Sequence, residues 1–234
     1  MRDKWDSIDE HRLRPESLMM GYAYKPEWSE GSMKSPVFQT STFAFPSAEA
    51  GKHFFALAYG LEELEEGEEP GLVYSRMNNP DLEILEDRLT LWDDAEAALV
   101  FNSGMAAITN AFLSHVRPGE VILHSGPLYG GTDHLVQHTL PELGILTVEF
   151  GPGEERAVVE ERLAAQAPGT PLRMVYLETP ANPTNDLIDI EMCVEIARAH
   201  ATGERDPIVA VDNTFLGPIW QRPLAHEPTS PSTH

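Results

Sequence analysis

Short apolar runs alternate with longer helical stretches from Asn79 to Asp212, and this alternation constrains the fold more than any other feature of the chain. The apolar runs predict strands at 97–101, 121–124, 145–150, 174–177 and 208–211. The stretches that follow Asn79 and separate these strands predict helices at about 80–92, 104–116, 132–140, 154–166 and 189–201. Strands that alternate with helices of this length form a mostly parallel sheet covered on both faces, so we expect an α/β fold.

Residues 1–70 differ from the rest because polar, Gly and Pro residues surround a single patch, Val37–Phe43, that could pair as a strand. We interpret this region as an arm that contacts a neighbouring subunit. Residues 71–224 would form the main domain, and the polar, Pro-rich residues 225–234 would form an aberrant tail.

The charge balance narrows the range of partners. The chain has 16 basic and 38 acidic residues, which gives a formal net charge of -22. Such a surface repels nucleic-acid phosphates and anionic membranes, so we predict neither as a partner. The single cysteine, Cys193, fits a reducing compartment and a place in the core, and the charged N-terminus lacks a signal peptide. We therefore expect a cytoplasmic protein.

Two loops that follow predicted strands could bind an anion and a flat ring. Gly104 and Met105 begin a helix, where backbone N–H groups and the helix dipole favour an anion; a plain capped helix start is the alternative. Tyr129 lies beside Gly130 and Gly131, and its ring could cover a planar ligand. A tyrosine in an ordinary turn explains the second loop equally well.

Polar side chains also end the last two predicted strands. Asn182 lies between Ala181 and Pro183 in a restricted backbone that could aim its amide at a ligand, although a simple turn is the alternative. Asp212 follows four apolar residues, and an unpaired carboxylate there would be costly. A protonated pyridine nitrogen of pyridoxal phosphate is one possible partner, and capping of the next turn is the other.

A zinc site is the distant alternative. His134 and His138 are four residues apart on a predicted helix, which is a spacing used by zinc ligands. Because the sequence offers no evident third ligand, we predict no metal site.

Taken together, these segments resemble the Cys/Met-metabolism pyridoxal-phosphate enzymes. That family includes cystathionine γ-synthase, cystathionine γ-lyase, methionine γ-lyase and O-acetylhomoserine sulfhydrylase. The segments that carry the resemblance are, in chain order, Tyr74–Pro80, Ser103–Met105, Leu128–Thr132, Glu178–Pro183 and Val211–Thr214. The resemblance implies a PLP-dependent transferase of fold I, similar to aspartate aminotransferase, with 71–224 as its cofactor-binding large domain.

The resemblance also implies roles for individual residues. Gly104 and Met105 would bind the cofactor phosphate through backbone amides. Tyr74 and Arg76 would reach the phosphate in the neighbouring subunit, which implies a homodimer with shared sites and a tetramer in intact relatives. Tyr129 would stack on the pyridine ring and assist proton transfer.

The remaining implied roles concern the ring. Asn182 would lie near the ring hydroxyl with Glu178 in support, Asp212 would pair with the ring nitrogen, and Thr214 would help to position the ring. The family's Schiff-base lysine would follow Leu224, whereas the last lysine of this chain is Lys52. We therefore expect a fold that is incomplete at its C-terminus, truncated before that lysine.

The implied function is trans-sulfuration chemistry, by γ-elimination or γ-replacement on a sulfur amino acid or an activated homoserine. Without the lysine we expect the chain to be inactive alone. The alternative is a non-catalytic chain that binds the cofactor or pairs with another subunit.

Overall fold

The chain divides into two compact units, Met1–Val100 and Phe101–His234. A computed structural model of the chain describes residues 7–8, 11–65, 68 and 71–226. The boundary between the units lies at residue 100, whereas the sequence predicts a boundary at residue 70. The assignment of 1–70 as an arm and of 71–224 as a large domain remains a prediction, and residues 227–234 of the predicted tail lie outside the described residues.

In unit 1, Met1–Val100, the regular secondary structure is mostly helix, and most described residues lie in loops and turns. Its elements are β1 (Ser7–Ile8), β2 (His11–Arg12), α1 (Pro15–Leu18), a 3-10 turn (Pro26–Ser29), α2 (Ala48–Ala58) and α3 (Pro80–Asp93). The sequence predicts the start of α3 correctly, because the Asn79 side chain accepts a hydrogen bond from the amide of Asp81 at 2.9 Å and Pro80 occupies the first turn. The sequence pattern did not predict the helix α2.

Two predicted strands of the N-terminal half do not form. In Val37–Phe43 only Thr42 makes a β-bridge, with Tyr74, so this patch is not a strand. Residues 97–101 are also not a strand, because the amide of Val100 donates to the side chain of Glu86 at 2.9 Å instead of to a neighbouring strand. Apolar composition without a strand partner is insufficient to form a ladder.

Unit 2, Phe101–His234, contains the expected α/β fold. Its strands are β3 (Val121–Ser125), β4 (Leu146–Phe150), β5 (Leu172–Glu178) and β6 (Ile208–Asp212). They form a parallel sheet in the order β4-β3-β5-β6. The central strands β3 and β5 are almost entirely buried, as expected for strands with helices on both faces.

The helices of unit 2 cover both faces of this sheet. They are α4 (Gly104–His115), α5 (Gly130–His134), α6 (Leu140–Glu142), α7 (Arg156–Gln166), α8 (Ile190–Ala199) and α9 (Gly217–Trp220). One core contains apolar side chains from α7 and α8, and the other contains side chains from α4 and α6 together with Leu135 and Val136. Cys193 is buried in the first core as predicted, where burial raises the pKa of its thiol to about 12.

The helix predicted at 132–140 is interrupted. A π-helical turn, Leu135–Thr139, joins α5 to α6. Pro141 follows this turn and has no N–H to donate to the preceding turn, which accounts for the widened backbone there. In the part of the chain that the structure describes, no helix is long and apolar enough to cross a membrane.

Candidate active site

The carboxyl ends of the parallel strands bring several predicted site residues together. Glu178 and Asp212 end neighbouring strands and are paired in register. The hydroxyl of Ser125, at the end of β3, accepts a hydrogen bond from the amide of Glu178 at 3.1 Å. Open α/β sheets bind ligands at this edge, so the structure places these side chains where a ligand would bind.

The start of α4 offers two free backbone donors. Ser103 caps the helix, because its hydroxyl accepts from the amide of Ala106 at 3.1 Å and its carbonyl accepts from Ala107. The amides of Gly104 and Met105 consequently have no acceptor among the described residues. A Cβ added at Gly104 would meet nothing within 4 Å, so the space beside the Gly104 backbone is open. An anion can approach both N–H groups at the positive end of the helix.

Tyr129 lies at the N-cap of α5 with 46% of its surface exposed. Its amide donates to Oε2 of Glu178 at 2.7 Å, which fixes the backbone that carries the ring. A side chain at Gly131 would lie 2.7 Å from the Tyr129 ring and 2.8 Å from the Met105 sulfur. The glycine therefore allows the ring and the start of α4 to approach each other.

Glu178 holds two site loops at once. Its second oxygen, Oε1, accepts the amide of Asn182 at 2.6 Å, while Oε2 accepts the amide of Tyr129. The side chain is 5% exposed, so its charge is compensated mainly by these backbone donors. Glu178 thus supports Asn182 through the backbone rather than through the side-chain amide.

Asp212 accepts three hydrogen bonds. Its Oδ1 accepts from the amide of Thr214 at 3.0 Å and from the Thr214 hydroxyl at 2.5 Å. Its Oδ2 accepts from the phenol of Tyr176 at 3.3 Å. The two bonds from Thr214 are those of an acid that caps the following turn, so the capping alternative explains the contacts of Oδ1. Oδ2 accepts from Tyr176, which lies outside that turn.

Sequence reasoning missed Tyr176 and Thr132. Tyr176 is 3% exposed in β5 and donates to Asp212, and the fully buried Thr132 donates to the Met105 sulfur at 3.8 Å. Burial and then the charge of Asp212 raise the pKa of the Tyr176 phenol well above its ordinary value, so it remains a donor. The available signal was a tyrosine inside an otherwise apolar strand, because a buried hydroxyl needs a partner.

Tyr74 and Arg76 belong to the other unit. The Arg76 guanidinium lies 4.9 Å above the centre of the Tyr74 ring, and Arg76 is exposed. This stacking presents a cation next to a phenol. Their role at a neighbouring subunit remains a prediction.

His134 and His138 have ring centroids 4.9 Å apart on the surface of α5 and the π-helical turn. Among the described residues, no group of three or more His, Cys, Asp or Glu side chains is placed to hold a metal ion.

The strand-end residues of unit 2 fit a planar, anionic, pyridine-type ligand. The open amides at Gly104 and Met105 suit a phosphate, the exposed Tyr129 ring suits stacking, and Asp212 offers an acceptor for a protonated ring nitrogen. These three features occur within one unit, and Gly131 brings the Tyr129 ring close to Met105 at the start of α4.

Comparison with known proteins agrees with this chemistry. The model of the Cys/Met metabolism PLP-dependent enzyme family matches residues 17–228. The L-methionine gamma-lyase of Pseudomonas deceptionensis is 39% identical over 203 residues, which is 87% of this chain and 46% of that protein. The O-acetyl-L-homoserine sulfhydrylase of Corynebacterium glutamicum is 38% identical over 223 residues, which is 94% of this chain and 46% of that protein.

A solved structure shows the same fold. A crystal structure of a Campylobacter jejuni protein assigned as an O-acetylhomoserine (thiol)-lyase superposes with a TM-score of 0.76 and 27% identity, covering 92% of this chain and 48% of that one. That structure contains N'-pyridoxyl-lysine-5'-monophosphate. The chain therefore spans about half the length of the relatives it matches.

Proposed function

The chain belongs to the Cys/Met metabolism PLP-dependent enzyme family, and we propose that it forms the cofactor-binding portion of an enzyme of sulfur amino-acid metabolism. Because its relatives include a methionine γ-lyase and an O-acetylhomoserine sulfhydrylase, the proposed reaction of the whole protein is γ-elimination or γ-replacement. The substrate would be a methionine-type or activated homoserine-type amino acid. The observation that carries the proposal is the Asp212 carboxylate at the end of β6, with Oδ2 directed away from its own turn.

The start of α4 would bind the cofactor phosphate. The amides of Gly104 and Met105 are free to donate, and the helix of twelve residues adds a positive N-terminal field. Ser103 keeps the helix start fixed through its cap, so the two donors are already oriented.

Tyr129 and Asp212 would act on the ring. When bound, pyridoxal phosphate supplies an electron sink for the substrate. Asp212 would hold the proton on the ring nitrogen, while Tyr129 would cover one ring face and accept or donate a proton above it. Asn182 would contact the ring hydroxyl, and Thr214 would keep the Asp212 carboxylate in place.

A polypeptide limited to these 234 residues would bind the cofactor without turning over substrate. Residues 53–234, which include all of unit 2, contain no lysine. Covalent capture of the cofactor aldehyde needs an amine near the strand ends. We therefore propose reversible, non-covalent binding for this polypeptide alone.

The second candidate function is pairing with another subunit. The exposed Arg76, stacked on Tyr74, carries positive charge on a chain of net charge -22. In a homodimer this cation would complete the phosphate site of the neighbouring subunit. Cofactor binding would then increase with protein concentration in the native polypeptide but not in an Arg76→Ala variant; equal concentration dependence in both would contradict the pairing.

The main proposal is tested by titrating pyridoxal 5'-phosphate and following its absorbance. The native polypeptide should bind saturably, and Asp212→Asn should weaken binding about tenfold because a charge-assisted hydrogen bond is lost. Glu161→Gln, which removes a charge from an exposed position of α7, serves as the matched control. Equal binding by the native chain and Asp212→Asn would contradict the assigned site.

The absence of turnover is tested separately. Borohydride reduction with peptide mass analysis should find no pyridoxyl group on residues 53–234, and assays with L-methionine and with O-acetylhomoserine should detect no product. A pyridoxyl group on Lys34 or Lys52 together with product release would show that the polypeptide has its own activity.

A further inference from the structure

The register of β5 and β6 places Tyr176 diagonally across from Asp212. Tyr176 is paired with Ala210, and Glu178 with Asp212. Alternate residues of a strand share a face, so Ala210 and Asp212 lie on the face where Ala210 packs against the core that contains Phe112 of α4. The small Ala210 side chain leaves room for the Tyr176 phenol to extend over it to the carboxylate.

The core fixes the Tyr176 ring. Tyr176 is 3% exposed, and the ring of the fully buried Phe112 in α4 meets it edge-on with centroids 4.9 Å apart. A ring held in this way has little freedom to follow a moving partner. Tyr176 can consequently act as a fixed reference for Asp212, whose own backbone lies at the edge strand of the sheet.

The hydrogen bonds around the phenol have one favoured direction. The Tyr176 hydroxyl has one proton, and it donates that proton to the Asp212 carboxylate. The nearby Thr132 hydroxyl donates its own proton to the Met105 sulfur at 3.8 Å, so it does not compete for the Asp212 oxygens.

Counting acceptor sites shows which oxygen of Asp212 is available. A carboxylate oxygen accepts about two hydrogen bonds. Oδ1 already accepts two from Thr214, whereas Oδ2 accepts only the one from Tyr176. A new donor must therefore bind to Oδ2, the oxygen that the phenol positions.

We propose that Tyr176, held by the core around Phe112, is a positioning residue that presents Oδ2 of Asp212 to a ring N–H donor. The inference rests on the proposed cofactor role of Asp212. The 3.3 Å bond from the phenol uses one of the two acceptor positions of Oδ2, so the second position is open to the new donor.

The first test needs no cofactor. In the 234-residue polypeptide labelled with 13Cζ-tyrosine, Asp212→Asn should move the Tyr176 resonance, which is assigned as the signal missing in Tyr176→Phe. The other tyrosine signals should stay in place. A Tyr176 resonance that does not move would show that the phenol does not sense Asp212, and would overturn the inference.

The second test uses pyridoxamine 5'-phosphate, whose amine replaces the aldehyde, so its binding needs no lysine. Tyr176→Phe should weaken its affinity about five- to tenfold, the loss expected for one hydrogen bond to a charged group. With a 15N-labelled ring, the bound nitrogen signal should shift towards its unprotonated position in the variant. The melting temperature should change by less than about 4 °C.

The matched control is Tyr59→Phe, which removes a phenol that is 77% exposed in unit 1 and should leave both the affinity and the nitrogen signal unchanged. Native affinity and native ring protonation in Tyr176→Phe would overturn the positioning role. Equal affinities in the native chain and Asp212→Asn would instead refute the cofactor role of Asp212, and the inference with it. The carbon signal of Tyr176 distinguishes these two failures.

Discussion

At the scale of single residues, Glu178 connects the two loops that face the candidate site. Its two oxygens accept the amides of Tyr129 and Asn182 at 2.7 and 2.6 Å. A neutral amide at this position could accept only one of these bonds and would direct an NH2 group at the other N–H. The site geometry therefore depends on a carboxylate that needs no direct contact with the ligand.

Glu178→Gln should lower the free energy of unfolding by about 2 kcal/mol, because one buried amide loses its acceptor. Amide hydrogen exchange should accelerate at Tyr129 or Asn182, and urea unfolding provides the stability measurement. Glu142→Gln, at an exposed position of α6, is the control. Native exchange rates at both amides would contradict the clamping role.

His53 provides a pH-dependent contact in unit 1. Its Nδ1 lies 2.5 Å from Glu62 and its Nε2 lies 2.7 Å from Glu68. The hydrogen bond to Glu62, followed by that to Glu68, raises the pKa of His53 above 6.5. Since the folded pKa is raised, the contact stabilises fully below the ordinary histidine pKa and is lost as pH rises through the raised value.

Amide exchange in residues 61–65 should therefore be slower in the native chain than in His53→Gln near pH 6, since imidazolium can donate to both glutamates. The ratio of the two rates should approach one as the pH rises through the raised pKa of His53. His200→Gln, at an exposed position after α8, should leave these amides unaffected at every pH. A ratio that does not depend on pH would exclude the ionic contact.

At the scale of elements, an ionic network joins the starts of the strands opposite the candidate site. Glu120, just before β3, accepts from Arg173 of β5 at 3.0 Å and from Arg205 ahead of β6 at 2.7 Å. Arg205 also donates to the carbonyl of His115 at 2.7 Å, at the end of α4. The network fixes three strand starts relative to one helix end.

Burial alone would raise the pKa of Glu120, but the hydrogen bonds from Arg173 and the amide of Arg117, with the charge of Arg205, lower it overall. Glu120→Ala should cost about 3 kcal/mol of unfolding free energy, because it leaves two arginines without their shared acceptor. Urea unfolding at pH 7 measures the loss, and Glu204→Ala, an exposed acid beside Arg205, is the control.

The sign of the pH effect gives a second check on the network. A lowered folded pKa means that Glu120 stabilises above its ordinary pKa of 4.5 and that this contribution is lost as the pH falls through the folded value. The difference between native chain and Glu120→Ala should therefore shrink in acid. A constant difference down to about pH 3 would contradict an ionic origin.

The sequence predicts those elements whose local signals agree with their tertiary surroundings. β3, β5 and β6 combine apolar runs with neighbouring strands, and Asn79 caps α3 in the structure as the sequence predicts. Where local pattern and surroundings differ, the prediction is wrong: the apolar run 97–101 has a helix side chain, not a strand, as its hydrogen-bond partner.

The candidate site also contains features that the local sequence predicts and features that it does not. Residues at strand ends can be identified one by one, because small and polar side chains after an apolar run are recognisable. The coupling of Tyr176 to Asp212 depends on the register of two strands that are distant in sequence, and on the small residue Ala210 between them. No local pattern specifies that register, so the contact emerges only from the fold.

At the scale of the whole molecule, the dominant quantity is the net charge of -22, with 38 acidic and only 16 basic residues. Even if every basic residue formed an ion pair, most of the acidic residues would remain without a basic partner. Such an excess of like charge destabilises a compact state by self-repulsion, and added salt screens it. Salt also weakens the stabilising ion pairs, but the acidic residues that have no basic partner outnumber these pairs.

Raising NaCl from ~20 mM to ~500 mM, which shortens the Debye length from ~20 Å to ~4 Å, should therefore raise the melting temperature of the 234-residue polypeptide. Circular dichroism at pH 7 measures the shift. A neutral osmolyte such as sucrose stabilises the folded state because it is excluded from the protein surface, and it does not screen charges. A variant with several exposed glutamates changed to glutamine should therefore lose the response of its melting temperature to salt. The same variant should keep the response to sucrose. A melting temperature that falls with salt would mean that the ion pairs, including the Glu120 network, outweigh the repulsion among the excess carboxylates.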